Sequence, residues 1–242
     1  MTLTDLAGLW GRLFEVQPAP ADTLVWATAA GALLAVAYRR SWLLSRNVIT
    51  LVHEGGHAAM ALATGRRLSG IRLHSDTSGV TVTAGRPTGP GMVLTAAAGY
   101  VAPSLVGLGA AALLDRGLVT VLLWSATALL AAMLVMIRNL FGVVSVVTTG
   151  AVVLAVSWYA GPATQSVFGY LFCWLLVLGG VRPVWELQRK RARGRAGTSD
   201  ADQLARLTGV PGIVWVLLFG AVTVVVLALA VEWLLPWPVV LG

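Results

Sequence analysis

The sequence predicts an all-α polytopic membrane protein with about six to seven transmembrane helices and one small β-hairpin. Three observations predict it. The chain has 242 residues, of which 57% are hydrophobic and 11% charged, whereas a soluble globular domain carries about 25% charged residues. Its apolar residues gather into about seven runs separated by polar connections. The net charge of +7 comes from basic residues that sit mainly in those connections, as membrane orientation requires.

The runs lie at roughly 23–37, 47–63, 91–114, 118–137, 143–160, 166–181 and 212–235. Several approach the ~20 residues that span hydrocarbon, while the first and sixth are short. Ahead of them, Leu3 to Val16 fits a short amphipathic helix on the membrane surface. No basic region precedes an apolar core at the start, so no cleavable signal peptide is expected. Small residues crowd the third run at Ala96, Ala97, Ala98, Gly99, Gly107 and Gly109. That density suits close helix–helix approach in lipid. The single cysteine, Cys173, lies in an apolar run and reads as a packing residue. Glu232, Trp233, Pro236 and Trp237 read as an interfacial belt at the end of the last run. Residues 1–242 are expected to form one domain embedded in the lipid bilayer of a cell membrane.

Two stretches break the apolar pattern. Within 66–90, β-branched alternating runs flank Asp76-Thr77-Ser78-Gly79, which predicts a β-hairpin. Its open edge could take an extended substrate segment as another strand. Within 182–211, Arg182, Arg189, Lys190, Arg191, Arg193, Arg195 and Arg206 predict a cytoplasmic loop. Counting back through alternating spans puts 66–90 and Arg138 on the cytoplasmic side. It puts Arg39, Arg40, Arg46 and Arg116 outside. No aromatic residues interleave with the basic run, so no nucleic-acid partner is expected.

The second run holds His53-Glu54-Gly55-Gly56-His57. On a helix, residues i and i+4 share one face, so both imidazoles can grip one zinc ion. Glu54 sits beside the metal as the candidate general base. The alternative is a pair of histidines that only hydrogen-bond to neighbouring helices. Ionisable groups at membrane depth are costly and usually mark function. These residues predict a metalloprotease acting within the bilayer, with its site toward the cytoplasm and membrane-spanning peptides as substrates. A non-proteolytic membrane protein that keeps a metal or client-helix site is the competing reading.

The ordered features resemble the site-2 protease family of intramembrane zinc metallopeptidases, in a short bacterial form without a PDZ domain. His53 to His57 fits the family's His-Glu-x-x-His, and the hairpin corresponds to its membrane-associated β-element. Ala97 to Pro103 is similar to its small-residue Gly-Pro segment. The resemblance implies three protein ligands to zinc, the third an aspartate from an Asn-x-x-Pro…Asp-Gly motif. The nearest stretch here, Asn139 to Gly150, has neither the aspartate nor the proline. Among the remaining acids, Asp200 is the expected third ligand, with Asp202 or Asn139 behind it. Asp200 could instead belong only to the N-terminal cap of a helix through Leu207. Asn139 could otherwise hydrogen-bond the substrate backbone or a developing oxyanion.

Overall fold

The computed structural model describes residues 11, 13–194, 197 and 199–236. The chain order is α1 (Asp22–Ala37), α2 (Arg39–Ala63), β1 (Arg67–Leu73), β2 (Gly79–Ala84), α3 (Pro90–Asp115), α4 (Val119–Met136), α5 (Leu140–Tyr159), α6 (Pro162–Ala192), α7 (Asp200–Thr208) and α8 (Gly212–Leu234). Among the described residues, five helices, α3, α4, α5, α6 and α8, are long and apolar enough to cross a membrane. α1 is a shorter apolar helix of 16 residues. The expected helix at Leu3 to Val16 and the end of the aromatic belt at Trp237 lie largely outside the described residues.

α3 and α6 form the centre and run antiparallel. Gly107 lies against Val177, and Ser104 lies against Gly180. α1 lays one stripe, Val25, Thr28, Ala32 and Val36, into this centre. The main core joins Val25 and Ala32 to Ala110, Ala111 and Leu114 of α3 and to Tyr170, Cys173, Trp174 and Val177 of α6. Cys173 is fully buried there and donates to the Gly107 carbonyl, 3.4 Å away. α2 runs antiparallel to α3. Gly56 brings α2 close to α3, because a Cβ there would overlap Ala102, and Gly99 makes room for the rings of His57 and His53. Of the small residues in α3, Gly109 faces open space instead.

The hairpin closes on a turn in which Asp76 Oδ1 accepts from Ser78 N at 3.0 Å and Ser78 Oγ at 2.6 Å. Its antiparallel register pairs Leu73 with Gly79 and Ile71 with Thr81. Gly79 therefore begins the second strand rather than ending the turn. Beneath it, Ile71 and Leu73 pack with Leu51 and Ala58 of α2, Ile137, and Val146 of α5.

The structure corrects two boundary expectations. Residues 182–211 are not one loop: α6 continues through Arg182 to Ala192, and α7 follows from Asp200. Hydropathy falls at Arg182, but arginine and lysine are good helix formers and suit a helix C-terminus. The second correction concerns sidedness. Arg46 pairs with Glu186 at 3.5 Å, and Trp42 Nε1 donates to the same carboxylate at 3.0 Å. Arg182 stacks on Trp42 at 4.7 Å and bonds the Val36 carbonyl. The α1–α2 corner thus lies at the same end of the bundle as Arg182, not at the opposite end. Counting spans failed there because α2, which carries Arg39, Arg40 and Arg46, is not among the helices apolar enough to count as a span. Its far end, Thr64, packs against Gly91 at the start of α3.

Candidate metal centre

The i, i+4 spacing of His53 and His57 on α2 sets their Nε2 atoms 3.2 Å apart. α7 delivers the third group. Asp200 Oδ2 lies 3.3 Å from His53 Nε2 and 3.2 Å from His57 Nε2. Among the described residues these three form a group of donor atoms all within 4.8 Å of one another.

This geometry fits zinc. Tetrahedral bonds of about 2.0–2.1 Å place ligand atoms roughly 3.3–3.4 Å apart. The chemistry of the donors fits as well. His57 Nδ1 lies 2.7 Å from the Thr95 carbonyl, which can only accept. Nδ1 therefore carries a proton, and Nε2 is the nitrogen turned toward the other two groups. Nε2 faces a carboxylate oxygen and a second imidazole nitrogen. Two imidazole nitrogens and a carboxylate oxygen converging on one point are a donor set that suits a divalent cation.

The local sequence explains each placement. Ser199 caps α7, its Oγ accepting from Asp202 N at 3.3 Å. Gly209 ends the helix in the left-handed region at φ 75°. Ala201 and Leu204 are fully buried against Ala96, Val184, Leu187, Val216 and Phe219, which fixes the helix on the bundle. Asp200, at its first residue, then reaches the histidines. Asp202 points elsewhere: it pairs with Arg191 and accepts from Ser199 Oγ at 2.6 Å. Burial opposes its charge, yet Ser199 and Arg191 hold its pKa low.

Glu54 is buried, with 4% of its surface exposed. Thr81 Oγ1 of β2 donates to Glu54 Oε2 at 2.6 Å. Tyr100 meets the His53 ring edge-on at 4.9 Å and stacks on Phe219 at 5.3 Å, walling the site on the α3 side. Asn139 stands apart from the three donors. Its Oδ1 accepts from Leu73 N at 3.1 Å, and its Nδ2 donates to Leu73 O at 2.6 Å. The amide pairs with β1 as a neighbouring strand would. Asp115 lines a cavity with Trp233 and Leu234 at the opposite end of the bundle.

Sequence reasoning missed Thr95, Tyr100 and Thr81. A backbone carbonyl such as that of Thr95 leaves no trace in the residue type. Thr81 was visible only as one of several β-branched residues. Gly99 carried a signal, the small-residue density of α3, but not its purpose.

The profile of the Peptidase M50B-like family matches residues 26–230, a span that includes both histidines, Glu54 and Asp200. No curated protein and no solved structure matches the chain. The match covers most of the chain and agrees with the site-2 protease resemblance of its motifs, so the chain belongs to the Peptidase M50B-like family.

Proposed function

We propose that this protein is an intramembrane zinc metalloprotease that hydrolyses peptide bonds of membrane-spanning substrates. The observation that carries the reading is the meeting of His53, His57 and Asp200 at zinc-ligand spacing beside Glu54. His53 and His57 would hold the ion through Nε2 and Asp200 through a carboxylate oxygen. Three protein ligands leave a fourth position open, as catalytic sites require. When bound, zinc supplies a Lewis acid that polarises the scissile carbonyl and acidifies water.

Glu54 takes the proton as water attacks the carbonyl and returns it to the leaving amine. His57, oriented by the Thr95 carbonyl, keeps its Nε2 aimed into the site. Substrate must unwind, because a helix hides its carbonyls in hydrogen bonds. The hairpin supports strand addition. β1 is covered on its outer edge by a bridge from Ile71 to Ile137 and by the Asn139 amide. β2 therefore offers the free edge for an unwound segment. We assign Asn139 to closing β1, which leaves β2 to the substrate.

Orientation follows from charge. Arg46, the hairpin arginines and the basic end of α6 belong to the end of the bundle that carries the site. The positive-inside rule then places that end in the cytoplasm. Water reaches the site from there.

Metal removal tests the reading. The substrate is a synthetic transmembrane peptide with a Gly-Pro break, end-labelled, in detergent micelles with the full chain. A chelator is expected to abolish cleavage, and added zinc to restore it. Cleavage that persists in chelator would contradict the reading.

A further inference from the structure

We propose that β2 is the element that positions the Glu54 carboxylate. Thr81 holds one carboxylate oxygen, and Gly79 leaves the space the other occupies. The proposal rests on the reading of Glu54 as the base.

Two contacts carry it. Thr81 Oγ1 lies 2.6 Å from Glu54 Oε2 and 3.1 Å from the Glu54 carbonyl. A hydroxyl has one proton, and the shorter, charge-assisted contact takes it. Gly79 lies two residues earlier, on the same face of β2. A Cβ there would stand 2.6 Å from both Cγ and Oε1 of Glu54. Hydroxyl and backbone thus form a cradle around the carboxylate. Oε1 keeps its lone pairs for a proton.

The cradle is itself tied down. Thr50 Oγ1 of α2 donates to the Thr77 carbonyl at 2.9 Å, anchoring the turn one helical turn before Glu54. Across the sheet, Arg138 N donates to the Ile71 carbonyl at 2.9 Å, and Ile71 pairs with Thr81. β2 therefore has a fixed height over α2. The strand that holds the base is also the strand with the free edge. A substrate segment added to it is set in register with Glu54 by the same backbone. Placement matters at this scale, because a misplacement of about 1 Å can cost about a hundredfold in rate.

Thr81→Val and Thr81→Ser test the proposal. Valine keeps the shape of threonine and removes the donor, whereas serine keeps the donor. Thr81→Val is expected to keep its zinc and lower kcat about 10–100-fold, with KM within about twofold. Thr81→Ser is expected to recover most of that loss. A second readout needs neither metal nor turnover. In metal-free protein, dicyclohexylcarbodiimide labelling of Glu54, followed by peptide mass spectrometry, is expected to be several-fold faster in Thr81→Val. Wild-type or raised kcat in Thr81→Val, or equal losses in both variants, overturns the proposal. If wild type cleaves nothing, the protease reading fails, and labelling alone decides. Equal labelling of all three proteins then overturns the positioning role.

Discussion

Glu54→Gln is expected to keep zinc and lower hydrolysis by about 10²–10⁴-fold, the usual worth of a positioned general base. The substitution preserves volume and removes only basicity. The glutamine oxygen can still accept from Thr81 Oγ1, which holds Glu54 at 2.6 Å, so the cradle of β2 survives. His53, His57 and Asp200 are untouched, and they form the donor group without Glu54. Loss of rate with full metal content therefore isolates proton transfer from metal binding. The measurement is cleavage of the labelled transmembrane peptide at saturating concentration, with zinc counted in the same sample. A variant that cuts at the wild-type rate would remove Glu54 from the chemistry.

Gly99→Ala is expected to weaken zinc binding by about 10–100-fold, although Gly99 supplies no donor atom. A Cβ at this position would overlap His57 Nε2 and press on His53 Cε1. The clash is with rings held in place: His57 is fixed through Nδ1 on Thr95, and His53 is backed by Tyr100. The rings must turn away, and orientation of ligand histidines typically governs affinity by 10–100-fold even when the change lies outside the ligand set. Helix propensity works in the opposite direction, since alanine is favoured over glycine by about 1 kcal/mol within a helix. Circular dichroism is therefore expected to show full helix content beside the loss of metal. Zinc titration against a chromophoric chelator reads the affinity. Unchanged affinity would mean that α3 yields where the structure has it close-packed.

The histidine motif was legible because its geometry is local. Spacing of four residues on a helix brings two side chains together whatever the rest of the chain does. The hairpin was legible for the same reason, through alternation and turn residues. Asp200 was within reach because the chain has only ten acidic residues and few could share a side with the histidines. Its actual approach depends on Ala201 and Leu204 docking α7 onto α3, α6 and α8, which no pattern within nine residues encodes. The sidedness of Arg39, Arg40 and Arg46 was misread for a related reason. An apolar run implies burial, not crossing, and α2 buries its face against α3 while Trp42 and Arg46 near its start meet Glu186 of α6. Asn139 shows the same boundary. Its residue type suggested a hydrogen bond to the substrate backbone or an oxyanion, whereas the fold gives it Leu73 of its own chain as partner.

The central claim is that His53, His57 and Asp200 hold one catalytic zinc. Zinc per protein, measured side by side in purified wild type, His57→Ala and Asp200→Ala, tests it most directly. About one zinc is expected in wild type, as for a single site with three protein ligands, with loss in both variants. Full zinc in Asp200→Ala, or none in folded wild type, would contradict it.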